Sequence, residues 1–172
     1  MRHRVLPLGF LLAFAVSGCA AQSLDSYQPK TQDETQIVNS LMRIPNGIKA
    51  RSVELLMQPY ADDAYIGNFQ KYLGVAGPTA AVSLSKEGLR AAYVQLFRSI
   101  KDISMDVKDF RLTSLTGDRA TVEARTELLY KVEAGRGEKK KGEKRDEVLA
   151  NDVTWRMRRT PGGWKIVEEI WR

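Results

Sequence analysis

Apolar residues recur every three or four positions between residues 31 and 101, and at every second position after that. The first period is typical of helices with one buried face, and the second is typical of half-buried strands. The first region predicts three helices. One begins at the capping box Thr31–Glu34 and ends at Pro45-Asn46-Gly47, a second spans Val53 to Met57 and ends before Pro59, and a third covers about 86–101.

A change of side-chain parity interrupts the first predicted strand after these helices. Ile103, Met105 and Val107 alternate with polar residues, whereas Phe110 has the opposite parity. One extra residue in a strand produces such a shift, so the sequence predicts a bulge near Lys108-Asp109.

Two turns organise the remaining strands into antiparallel hairpins. Thr116-Gly117-Asp118 leads into a long strand from Ala120 to Val132, and Pro161-Gly162-Gly163 joins a second long strand, around Val153 to Met157, to the ending Trp164–Trp171. Helices first and hairpins afterwards predict an α+β fold, with the helices packed on one face of a curved antiparallel sheet.

The segment between the two long strands, residues 133–147, carries charge of both signs, three glycines and no aromatic residue. Such a composition cannot bury enough apolar surface to order itself, so we expect a flexible hairpin loop. Two interpretations stay open for its basic residues: they contact an anionic surface, or they are simply solvated. These residues are Lys139, Lys140, Lys141, Lys144 and Arg145.

The first eighteen residues have the layout of a secretory signal. The basic start Met1–Arg4 precedes an apolar run of twelve residues, Val5 to Val16, which is short for a membrane-spanning helix. Val16-Ser17-Gly18-Cys19 resembles the bacterial lipobox, in which the cysteine becomes the first mature residue and carries lipid. We therefore expect a lipoprotein signal peptide over 1–18 and palmitate on Cys19; an ordinary secretion signal that leaves a lone cysteine is the alternative.

Lipidation would place the protein in the cell envelope, where the lipid on Cys19 would anchor it to the membrane. Ala20 rather than Asp follows the cysteine. In lipoproteins that this chain resembles, such a residue implies the periplasmic side of the outer membrane in a Gram-negative organism. Residues 19–30 show no apolar period and predict a flexible tether.

Composition limits the size of the domain and the choice of partners. The chain has 172 residues with 27 Lys+Arg and 21 Asp+Glu, a net charge of +6. Loss of residues 1–18 removes Arg2 and Arg4 and leaves 154 residues at +4, enough for one domain with its own core. The basic excess is modest. We do not expect nucleic acid as a partner of an exported protein, whereas anionic lipid headgroups and cell-envelope polymers stay open as partners.

Three short motifs resemble the nuclear-transport-factor-2-like superfamily, and its SnoaL-like members in particular: Tyr60-Ala61-Asp62-Asp63-Ala64, Gly88-Leu89-Arg90-Ala91-Ala92-Tyr93, and the ending Gly163-Trp164-Lys165-Ile166-Val167-Glu168-Glu169. With the spacing between them, the resemblance implies a SnoaL-like domain over 31–172. Members have a cone-shaped α+β domain with a pocket at its open end. They include isomerases, hydrolases and dehydratases as well as non-catalytic binding, dimerisation and transport domains, so the resemblance implies a fold and not one function.

The mature chain would lack the histidine and the free thiol that many catalytic and metal sites use. The only histidine, His3, leaves with the signal, and the only cysteine, Cys19, would be acylated. That excludes a Ser-His-Asp triad, a cysteine nucleophile and a zinc site with His or thiolate ligands, so we expect no metal and no cofactor.

The remaining acid/base candidates are Asp62, Asp63, Tyr65 and Glu168. By strand alternation Glu168 shares a face with Trp164 and Ile166. If that face lines the pocket, desolvation would raise the pKa of Glu168 toward a useful range. The alternative is structural: Glu168 pairs across the sheet with an arginine such as Arg156 or Arg158, and Asp62-Asp63 stabilises a turn. A tyrosine beside two acids, as in steroid-isomerase-like members, could be formed by Tyr65, Asp62 and Glu168.

Large aromatic residues are the candidates for lining a pocket, and packing in the core is their alternative role. The candidates for ligand binding are Tyr60, Tyr93, Phe97, Trp155 and Trp171. The segment Gly74 to Leu84 lacks a clear period and is expected to run over the pocket mouth.

Three functions follow from these features. The first is a lipid-anchored envelope domain that binds a small apolar ligand or a partner protein without chemistry of its own. The second is an isomerase- or hydrolase-like enzyme that uses Asp62, Tyr65 and Glu168 as catalytic residues. The third is an assembly domain, because open sheet faces in this fold often form homodimers.

Overall fold

A computed structural model describes residues 22–69, 83–133 and 144–172. Within these ranges the chain forms four helices and six strands. The helices are α1 (Gln32–Leu41), α2 (Arg43–Ala50), α3 (Val53–Met57) and α4 (Lys86–Ser99). The strands are β1 (Tyr60–Gly67), β2 (Ser83–Ser85), β3 (Ile103–Thr116), β4 (Arg119–Glu133), β5 (Lys144–Thr160) and β6 (Gly163–Trp171).

The strands form one curved sheet in the order β2-β1-β6-β5-β4-β3. All neighbours are antiparallel except β1 and β6, which run parallel. The helices pack on one face, with α1 against β6, α2 against β3 and α4 against β1. Their apolar faces and the inner face of the sheet share one core that extends from Leu24 to Trp171. The predicted α+β fold is therefore confirmed.

The first predicted helix is in fact two. Thr31 caps α1 as predicted, with its hydroxyl accepting from the N–H of Glu34 at 3.1 Å. The chain then starts a new helix at Arg43, so Pro45 lies in the first turn of α2, where its missing N–H removes no helical hydrogen bond. The prediction that Pro45-Asn46-Gly47 ends a helix is wrong. Instead α2 ends at Ala50 and is capped by Arg51, whose φ is +54°.

Gly47 lets α2 approach α3 closely. A Cβ at this position would lie 2.7 Å from the backbone nitrogen of Leu56 and 2.8 Å from its Cβ. Both residues are buried, so the contact could not be relieved by a shift into solvent. The sequence signal that suggested a helix stop is therefore a packing requirement.

The bulge predicted in β3 is confirmed. Lys108 lies opposite Arg125 and Arg111 opposite Glu123, so β3 contains one more residue than β4 over this stretch. Asp109 occupies the left-handed region with φ of +51°. The extra residue reverses the parity of the strand, as the sequence pattern indicated.

Part of the segment predicted as a tether, residues 19–30, contacts the sheet at Gln22 and Leu24. The N–H of Leu24 donates to the carbonyl of Val107 at 2.9 Å, and the N–H of Phe110 donates to the carbonyl of Gln22 at 2.8 Å. Leu24 is only 2% exposed. These residues thus pair with the edge of β3 between Val107 and Phe110, where the burial of Leu24 and two backbone hydrogen bonds hold them.

Several predictions fall wholly or partly outside the described residues. The signal peptide, Cys19 and the start of the tether lie there, and so does most of the expected mouth loop Gly74–Leu84, whose last residues belong to β2. The predicted loop 133–147 is too long: β4 reaches Glu133 and pairs there with Lys144 of β5, so only 134–143 lies outside the described part.

Candidate functional site

A bulge in β6 decides which side chains of this strand face the interior. In the β5–β6 pair, Arg156 lies opposite Glu168 and Met157 opposite Ile166, which leaves Val167 as the extra residue. Such a residue reverses the alternation of side chains along the strand. The two halves of β6 therefore have opposite parity.

Glu168 consequently does not share a face with the buried Trp164 and Ile166, as strand alternation had predicted. Its side chain is 27% exposed and forms an ion pair with Arg156 on the outer face of the sheet. This is the structural alternative that the sequence had left open for Glu168.

The other acid/base candidates also lie outside the core. Asp62 accepts a hydrogen bond from Nζ of Lys86 at 2.8 Å, and this hydrogen bond and the lysine charge lower the pKa of the Asp62 carboxyl. Asp63 pairs with Arg158 at 3.1 Å. Tyr65 is 45% exposed and lies beside Glu168 in the β1–β6 register. The structure thus brings Tyr65 and Glu168 together, but on the outer face.

The interior holds a carboxylate that the sequence analysis missed, Glu169. Its side chain is 1% exposed. Oε2 accepts from the hydroxyl of Tyr60 at 2.6 Å and from the indole N–H of Trp155 at 2.8 Å, while Oε1 accepts from the indole N–H of Trp171 at 2.8 Å. The signal that could have found it is the pair of buried indoles, since each needs an acceptor and Glu169 lies directly opposite Trp155.

Burial controls the protonation of Glu169. Desolvation raises the pKa of its carboxyl, and the three hydrogen bonds from Tyr60, Trp155 and Trp171 oppose that rise without cancelling it. A carboxylate can accept about four hydrogen bonds. Within the described ranges no fourth donor reaches Glu169, so Oε1 keeps one acceptor position.

All five aromatic residues proposed to bind a ligand belong to the core. Tyr60, Trp155 and Trp171 surround Glu169, and each is at most 2% exposed. Tyr93 of α4 lies between two other rings, with centroids 5.8 Å from those of Phe69 and of Phe97. The structure brings these side chains into one apolar interior; their contact with a ligand stays a prediction.

The described part of the chain contains no group of three His, Cys, Asp or Glu side chains placed to share a metal ion. None of its helices combines the length and the apolar character needed to cross a membrane.

Neither a protein-family model nor a curated protein matches the sequence. Solved structures do match. A candidate aromatic ring hydroxylase from Novosphingobium aromaticivorans superimposes with a TM-score of 0.64 at 16% identity, covering 84% of this chain and 90% of its own. A nuclear-transport-factor-2-like protein with a cystatin-like fold, from the same organism, gives a TM-score of 0.59 at 16% identity and covers 81% and 80%.

A ketosteroid isomerase-like protein from Erwinia carotovora atroseptica gives a TM-score of 0.57 at 16% identity and covers 82% of this chain and 95% of its own. At such identities the likeness shows the fold alone. The chain therefore has the nuclear-transport-factor-2-like, cystatin-like α+β fold.

Proposed function

We propose that this protein is a lipid-anchored cell-envelope domain that binds a small, largely apolar ligand in its interior and performs no chemistry on it. The ligand would carry one hydrogen-bond donor, such as a hydroxyl group. The observation that carries the proposal is Glu169, a buried carboxyl group that accepts from three protein donors and, among the described residues, meets no fourth.

The proposed ligand carries a hydrogen-bond donor because Glu169 offers an acceptor. An acceptor position in an apolar interior gains most from a ligand that donates to it, because water does not compete there. The surrounding rings of Trp155, Trp171 and Tyr60 would contact the apolar body of the ligand.

A non-catalytic role is supported by the positions of the expected acid/base groups. Asp62 and Glu168 are held in ion pairs with Lys86 and Arg156, and Tyr65 lies on the same outer face. These groups would meet a substrate only on the surface of the sheet, where water competes for every contact.

Matched probes test the ligand class. In calorimetry at neutral pH, 2-naphthol should bind about ten- to a hundredfold more tightly than 2-methoxynaphthalene, which has the same rings but no donor. Glu169→Gln should remove most of that preference, whereas Glu168→Gln should keep it. Equal affinity for the two probes, or no binding of either, would contradict the proposal.

A second candidate function is acid/base catalysis by Glu169 itself. The 2.6 Å hydrogen bond between Tyr60 and Glu169 and the raised pKa of the carboxyl are the observations that favour it. Turnover of ketones, enones or epoxides by the purified protein, abolished in Glu169→Gln and kept in Glu168→Gln, would support this function against simple binding.

A further inference from the structure

Three cations lie opposite one another in one row on the outer face of the sheet. Arg119 of β4 is the register partner of Arg158 of β5, which is also the partner of Lys165 of β6. Like charges directly opposite destabilise a sheet. In the adjacent row the pattern is the usual one, since Arg156 lies opposite Glu168.

The described residues neutralise this row only in part. Arg158 pairs with Asp63, but Lys165 donates to the backbone carbonyl of Gln58. In the part of the chain that the structure describes, no carboxylate lies within ion-pair distance of Arg119 or Lys165. The row therefore keeps a positive surplus.

Two more cations adjoin Lys165. Burial, and then the charges of the nearby Arg43 and Lys86, lower the pKa of the Lys165 ammonium, while the charge of Asp62 opposes that change. Arg43 and Lys165 also line one groove of about 550 Å³ between the first helices and the β5–β6 turn. We call this surface the cationic patch, and it consists of Arg43, Lys86, Arg119, Arg158 and Lys165. The carboxylates paired with it in the described structure are those of Asp62 and Asp63.

The first described residues, Gln22 to Leu24, lie along the edge of β3. Gln22 pairs with Phe110 and Leu24 with Val107, so this segment runs antiparallel to β3. Its N-terminal end therefore points toward the β3–β4 turn, which is the end of the sheet that carries Arg119. Cys19 precedes Gln22 by three residues, which span at most about 10 Å.

We propose that the cationic patch docks on anionic phospholipid headgroups, so that the anchored domain lies against the membrane instead of hanging from a free tether. The choice of a lipid surface rests on the proposed lipidation of Cys19, whereas the charge of the patch does not depend on it. Cations near an anionic leaflet are attracted by its surface potential, and this attraction decays within a Debye length. A patch on an anchored domain needs only such weak contacts, because the anchor supplies a high effective concentration at the membrane.

Residues 20–172 serve for the test because they contain every described core side chain and lack both signal and lipid. The readout is sedimentation with vesicles of phosphatidylcholine, with or without phosphatidylglycerol. Binding is expected only with phosphatidylglycerol, and it should weaken as salt is added. Inorganic phosphate added at constant ionic strength should compete poorly, which distinguishes a lipid surface from a site for the free ion.

Two double variants of equal charge locate the contact. Arg43→Gln with Arg119→Gln should weaken vesicle binding about tenfold or more. Lys49→Gln with Lys101→Gln removes the same charge near the other end of the sheet, where both residues line a different groove, and should have little effect. Equal losses in the two variants, equal binding to both vesicle types, or no binding at all would overturn the docking proposal. None of these outcomes bears on ligand binding in the interior.

Discussion

The indole N–H of Trp155 donates to Oε2 of Glu169 across the β5–β6 pair, with 2.8 Å between nitrogen and oxygen. This contact exists because the bulge at Val167 turns Glu169 inward and Glu168 outward. Two adjacent glutamates on one strand thus have different environments, and the pair provides its own control for mutagenesis.

Glu169→Gln should lower the free energy of unfolding by about 1–3 kcal/mol at neutral pH, because the amide nitrogen would face a donor and leave it unsatisfied. Glu168→Gln should change it by less than about 1 kcal/mol, since it breaks one surface ion pair. Chemical denaturation of the two variants measures both values. A larger loss in Glu168→Gln would contradict the assignment of faces in β6.

Stability should also depend on pH through Glu169. Burial raises the pKa of its carboxyl above the ordinary value of 4.5, so the folded state holds the proton more tightly than the unfolded state. The stabilisation from that proton is fully present below about pH 4.5 and is lost as the pH rises through the folded pKa.

The measurement is the free energy of unfolding of wild type and Glu169→Gln over a range of pH. The advantage of wild type over the variant should shrink as the pH rises. An advantage that grows with pH would mean that the three donors lower the pKa of Glu169 instead.

Gly47→Ala should destabilise the fold by about 1–3 kcal/mol, because the new methyl group would meet the backbone of Leu56 at 2.7 Å. Gly162→Ala is the control, since its nearest neighbour, Oγ1 of Thr160, would be 3.8 Å away. Thermal unfolding of the two variants should show a lower midpoint for Gly47→Ala alone. Equal midpoints would refute the close approach of α2 and α3.

Cys19→Ser should abolish palmitate labelling and, at high salt, release the protein from the membrane fraction, because the lipid would supply the anchor. Metabolic labelling and fractionation of the native host check this. Continued membrane association of Cys19→Ser at high salt would refute the lipobox interpretation.

Periodicity predicted most of the fold because most of it follows local rules. The cap at Thr31, the helix after Ser85 and the bulge at Asp109 can each be recognised from the pattern of the residues next to them. The break between α1 and α2 does not, since Pro45 is compatible with both a helix end and a first turn.

The site was harder to predict than the fold. The bulge in β6 falls within Ile166-Val167-Glu168-Glu169, where alternation gives no sign of it. Because of this one extra residue, Glu169 faces the interior, and Glu168, the predicted acid/base group, lies on the outer face. The docking of Leu24 was also missed, because a single apolar residue in a polar stretch has no period.

A high-resolution structure of the mature protein purified from its native host tests the central claim most directly. The account predicts density for a small molecule in the aromatic interior, with a polar atom within hydrogen-bond distance of Oε1 of Glu169. An interior filled by protein side chains alone, in a preparation that also fails to bind 2-naphthol, would contradict it.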